Sequence, residues 1–152
     1  MLKLAIRYGA MIAAALAIWV IADHFWLHIS QPGSRLSILT PIFFNLAEFA
    51  VLFLGLRDRR EQLGGRLRLG DGVAAGMAIS LAYAIFASIF FGAFYALLGS
   101  KLLENESTAF GNSQPQSRVL IGAFAGLFFG ALFGGLLYSA VLSLALGPKR
   151  AD

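Results

Sequence analysis

The chain has 152 residues, of which 59% are hydrophobic and only 13% charged, and it carries a formal net charge of +4 with a pI near 9.9. Soluble domains carry charge at roughly a quarter of their positions, so this composition, with a mean hydropathy of +0.76, excludes one and points to an integral membrane protein. The lack of cysteine excludes disulfides and thiolate metal sites, and because the basic residues flank apolar runs, the positive balance points to anionic headgroups rather than nucleic acid.

Four apolar runs, about 8–27, 38–56, 72–98 and 119–146, predict one all-α membrane domain, a four-transmembrane-helix bundle. The first run follows Lys3 and Arg7. Its Ala15-Leu16-Ala17 has the small-x-small shape of a signal cleavage site, but too few apolar residues precede it, so an uncleaved span is expected. Trp26 suits an interfacial anchor. His24 and His28 stand one helical turn apart beside Asp23, a spacing open to a metal, yet no third ligand accompanies them. A polar helix end at headgroup level, without metal, is the expectation.

Ser37 is placed to cap the second run, with Pro41 in its first turn. Pro41, Asn45, Glu48, Leu52 and Gly55 alternate by four and three and form one face, with Phe43, Phe49 and Phe53 off it. Glu48 falls near mid-span, where an ionised group costs at least ~2.5 kcal/mol on insertion scales. It is therefore expected to face the bundle, with Asn45, Tyr83, Ser88 and Trp19 at comparable depth as hydrogen-bond partners.

The segment from Arg57 to Asp71 is the most charged, with Arg57, Arg59, Arg60, Arg66 and Arg68 interleaved with Asp58 and Glu61. Gly64-Gly65 predicts a turn, Leu67 and Leu69 are expected to dip toward the bilayer, and Asp71 to cap the third span. The arginines suit a topology signal, an anionic-lipid contact or a docking surface for a partner.

The third run carries small residues every fourth position, at Gly72, Gly76, Ser80, Ala84, Ser88, Gly92 and Ala96. The fourth carries Gly122, Gly126, Gly130 and Gly134. Such glycine-zipper stripes let helix backbones approach closely in lipid. They predict that these two spans form the tightest antiparallel pair, with Gly76, Ser80 and Ala84 facing Gly126, Gly130 and Gly134 in reversed order. A polar connection, 99–118, joins them. Nine of the twelve Lys and Arg residues fall before the first span, between the second and third, or after the fourth; only Arg35, Lys101 and Arg118 fall on the other side. Both termini are expected in the cytoplasm.

Arg7-Tyr8-Gly9, the stretch from Phe53 to Arg60, and Gly64-Gly65-Arg66-Leu67-Arg68-Leu69-Gly70 together resemble a domain-of-unknown-function family of small four-span bacterial inner-membrane proteins. Members carry an aliphatic-Gly-aliphatic-basic end to the second span, then Gly-Gly-x-aliphatic-x-aromatic-Gly; here Leu69 stands where an aromatic is usual and Asp58 where a basic residue is common. The resemblance implies a four-helix membrane architecture and no assigned activity.

Neither a zinc motif nor a nucleophile and base at workable spacing is present in the sequence, so neither catalysis nor a cofactor is expected. The sequence leaves two functional expectations. One is a non-catalytic accessory, assembly or scaffold component of a larger membrane complex or homo-oligomer. The other is a small oligomeric transporter or channel that uses Glu48.

Overall fold

The structure, a computed structural model, describes residues 1–27, 36, 38–98 and 116–147. Helix α1 (Leu2–Ala22) runs into a single π-helical turn (Asp23–Leu27), followed by α2 (Leu39–Gln62), α3 (Leu69–Leu98) and α4 (Gln116–Leu146). All four are long and apolar enough to cross a membrane, and no strand occurs among the described residues. The helices overrun their apolar runs. Thus α1 takes in Lys3 and Arg7, and α2 continues through the arginines that were expected to lie in a loop. Ser37, His28 and the connection 99–115 lie outside the described residues, and α2 starts with no side-chain cap at Ile38.

The end of α2 follows from Gly64 and Gly65, which adopt φ of 72° and 85°, a region closed to most side chains. Gly65 N donates to Arg60 O at 2.9 Å and Gly64 N to Glu61 O at 3.1 Å, the paired bonds of a Schellman stop. The chain then re-enters the apolar region at Leu67, which is 1% exposed. Leu69, expected to do the same, is 49% exposed because α3 already begins there and turns it outward. For the same reason Asp71 sits within the first turn of α3 rather than ahead of it.

Helix α3 is the centre of the bundle. It packs along both α1 and α4, while α2 lies against all three; α1 and α4 do not touch among the described residues. Ile12, Leu16, Leu52, Leu56, Ala75, Ile79 and Ala87 fill the interior. Close approach of α1 to α3 depends on Gly9, where a Cβ would lie 2.8 Å from Tyr83 N and 2.9 Å from Ile79 O. At Gly55 a Cβ would meet Ile79 Cδ1 at 2.6 Å and the Tyr8 ring at 3.2 Å. The Tyr8 hydroxyl donates to Asp58 Oδ2, and Arg7 Nη1 stands 3.8 Å from the same oxygen. Tyr8 and Gly9 of the first helix and Gly55 and Asp58 of the second therefore meet in one knot joining α1, α2 and α3.

The α3–α4 seam runs on a different stripe of α4 from the one expected. A Cβ at Gly72 would overlap Ser143, one at Gly76 would overlap Ser139, and one at Gly135 would overlap Ser80. Each step of four along α3 is matched by four in reverse along α4. The same register continues to Ala84 and Ala131, both buried. Gly122, Gly126 and Gly130 instead stand on open surface, with nothing within 4 Å of the Cβ each lacks. The physical reason is local: the doublet Gly134-Gly135 offers two adjacent notches. Ser80 enters the second, which rotates the α4 contact face onto Ala131, Gly135, Ser139 and Ser143. On α4 the seam serines stay compact because each hydroxyl folds back on its own helix. Ser143 Oγ donates to Ser139 O at 2.5 Å and Ser139 Oγ to Leu136 O at 3.1 Å.

Candidate functional site

The other notch of that doublet receives Glu48. Helix α2 turns this side chain inward, where it is 8% exposed, and a Cβ at Gly134 would lie 3.3 Å from both carboxyl oxygens. From α3, Ser80 projects at the adjacent Gly135, whose missing Cβ would also lie 3.9 Å from Glu48 Oε1. Three helices thus bring a carboxyl and a hydroxyl to one pair of glycines. Neither is satisfied: Glu48 Oε1 and Ser80 Oγ are both buried without a hydrogen-bond partner. Tyr83, buried on α3, and Tyr138, half-buried on α4, lie within electrostatic reach of the carboxyl.

The expected partners of Glu48 are placed otherwise. Asn45 is on the exposed edge of α2, where its Nδ2 donates to Pro41 O at 2.7 Å and its Oδ1 accepts from the Tyr138 hydroxyl at 2.6 Å. It links α2 to α4 without reaching Glu48. Trp19 Nε1 donates to Thr40 Oγ1 at 3.2 Å, and its ring stacks on Phe43 with centroids 4.3 Å apart, so Phe43 serves the α1–α2 contact. Ser88 is half-buried two turns beyond Ser80 on α3, some 12 Å along the axis. Of the expected polar set, Glu48 and Tyr83 are buried together at the junction. Ser80, read from the sequence as packing, supplies the second orphan oxygen. Tyr138 closes the outer edge of the site. The signal that locates it is the pair of stripes read together: a serine on α3 opposite a glycine doublet on α4.

An unpaired buried hydroxyl or carboxyl costs of order 1–3 kcal/mol. Such a cost persists where the group holds something else, and a carboxyl facing a hydroxyl can hold a proton, a water or a small cation. No group of three or more His, Cys, Asp or Glu side chains capable of holding a metal occurs among the described residues. His24 packs edge-on against Phe94 with centroids 5.8 Å apart.

At the charged end of α2, Arg57 Nε pairs with Glu61 at 3.4 Å and Arg60 Nε donates to Gly65 O at 2.9 Å. Arg59 Nη1 donates to Gln62 Oε1 at 3.4 Å while its Nε is buried and unpartnered. Arg66 and Arg68 are exposed. No protein-family model, no curated protein and no solved structure matches this chain.

Proposed function

We propose that this is a non-catalytic protein of the bacterial inner membrane, of the small four-span family its sequence resembles, with both termini cytoplasmic. It acts as an accessory, assembly or scaffold component by packing against other membrane proteins. The observation that carries this reading is the uncovered side of the central helix. Ala78, Leu81, Ala82 and Ile85 lie on the side of α3 opposite Gly76 and Ser80 and, with Met1, Leu2, Ala5 and Ile6 of the first-helix end, line an apolar groove of about 400 Å³. Leu81 and Ile85 remain 44% and 47% exposed there, which supports packing of a partner helix on that face. Tagged protein purified in mild detergent is expected to retain a stoichiometric membrane partner, and Ile85→Trp to release it. A consistently lone particle, or retention unchanged in Ile85→Trp, overturns the reading. Orientation is tested by reporter fusions at residues 62 and 108, which are expected to report opposite sides of the membrane; matching signals contradict four spans.

A second reading, a small oligomeric transporter or channel, is favoured by the orphan oxygens of Glu48 and Ser80. A carboxyl that only tied the helices together would be hydrogen-bonded across them, and Glu48 Oε1 is not. Proton-linked flux in proteoliposomes that disappears in a folded Glu48→Gln variant supports this reading; equal flux from the variant removes Glu48 from it.

A further inference from the structure

Where α2 leaves the apolar region, Phe53, Arg57, Arg60 and Glu61 of that helix, Gly65 of the turn and Leu146 of α4 enclose an open cleft of about 480 Å³. We propose that this cleft is a binding site for the phosphate group of an anionic phospholipid.

Three observations converge on that ligand. The lining combines two chemistries, the guanidinium groups of Arg57 and Arg60 and the apolar side chains of Phe53 and Leu146. A phosphodiester that carries an acyl chain presents the matching combination. The level is right, because Leu56 is the last residue of the apolar run and Arg57 begins the first charged turn, which puts the guanidinium groups at headgroup depth. Arg60 is also anchored to the turn before any ligand arrives. Among the described residues, Arg60 spends only its Nε on Gly65 O at 2.9 Å, and Arg57 only its Nε on Glu61 at 3.4 Å. The terminal amino groups of both remain for phosphate oxygens, and guanidinium groups bind such oxygens in a planar, paired geometry.

Glu61 has a defined part. Its carboxylate lies in the cleft lining and competes with the phosphate for Arg57. Removing that carboxylate frees the Arg57 guanidinium and strengthens lipid binding. This site rests on membrane embedding and is independent of both readings of function given above.

Retention of phosphatidylglycerol by the purified protein in detergent, measured by native mass spectrometry against phosphatidylcholine, tests it. Loss of a hydrogen bond to a charged group corresponds to about a tenfold change in affinity or more, so Arg57→Gln is expected to weaken phosphatidylglycerol retention about tenfold. Arg68→Gln, the same charge change outside the cleft, is expected to leave it within twofold, and Glu61→Gln to raise it. Because Arg60 also holds the Gly65 turn, Arg60→Lys replaces Arg60→Gln as the second variant, with an expected loss of retention at unchanged charge. Equal losses from Arg57→Gln and Arg68→Gln overturn the site in favour of diffuse charge. Displacement of the lipid by millimolar inorganic phosphate overturns the lipid as its ligand and assigns a free-anion site. Equal retention of phosphatidylcholine overturns the role of the guanidinium groups.

Discussion

Replacing Gly76 with alanine adds one methyl group to the middle of the α3–α4 seam. The new carbon would overlap Ser139 Cβ and lie 2.9 Å from Ser139 Oγ and 3.5 Å from Ser139 Cα. A rotamer change moves Oγ but not Cβ, which is fixed one bond from the backbone, so the two helices must separate. Overpacking of this kind costs about 1–3 kcal/mol, a loss of roughly 5- to 150-fold in the folding equilibrium. Gly130→Ala provides the contrast, because its added methyl meets nothing within 4 Å. It is expected to change stability by no more than about 0.5 kcal/mol, or to raise it slightly through the better helix propensity of alanine. Reversible unfolding in mixed detergent and SDS micelles, followed by circular dichroism, measures both. The double variant Gly76→Ala with Ser139→Gly exchanges the methyl-sized group across the seam and is expected to recover most of the loss. If Gly130→Ala proves as damaging as Gly76→Ala, or if Ser139→Gly gives no recovery, the seam does not run through Ser139.

Tyr8→Phe removes the donor to Asp58 and is expected to destabilise the knot of α1, α2 and α3 by about 1 kcal/mol in the same unfolding assay; the Asp58 side chain is 38% exposed and recovers water contacts, which limits the loss. Gly65→Ala forces a Cβ onto a residue at φ +85° and is expected to cost about 1 kcal/mol, seen as earlier protease nicking between α2 and α3. Gly134→Ala brings a methyl 3.3 Å from both Glu48 carboxyl oxygens and is expected to be nearly neutral for folding, since the end of a glutamate side chain can yield by a few tenths of an ångström. Ser80→Ala removes an orphan hydroxyl that bonds to nothing in the protein, so it is expected to match or exceed the parent in stability; a loss beyond about 2 kcal/mol means that Ser80 holds a ligand or water needed for folding.

The spans were legible because lipid imposes length and apolarity on every crossing segment, and the Gly64-Gly65 stop because few other residues adopt its backbone angles. Burial of Glu48 followed from the cost of a carboxyl in lipid. What the sequence could not resolve was rotation about a helix axis. Gly134 and Gly135 are adjacent and equally small, and the choice between them is made by Ser80 on another helix. That single step of about 100° moved the contact face from Gly122, Gly126 and Gly130 to Ser139 and Ser143. The partners of Glu48 were hidden for a related reason. Depth along a span can be counted from its ends, but facing direction depends on how four helices are arranged, and here Trp19 turns to Thr40 and Asn45 to Tyr138.

The position of Glu48 against Gly134 also orders events during synthesis. The carboxyl belongs to the second helix to emerge, while the backbone that shields it belongs to the last. At ribosomal rates of about 5–20 residues per second, on the order of ten seconds separates the two. During that interval the carboxyl of a nascent chain has no α4 beside it. The fourth helix is therefore the lock on the assembly: a chain truncated before Gly134 keeps every residue of the knot at Tyr8 and Asp58 yet lacks the backbone that stands against the Glu48 carboxyl.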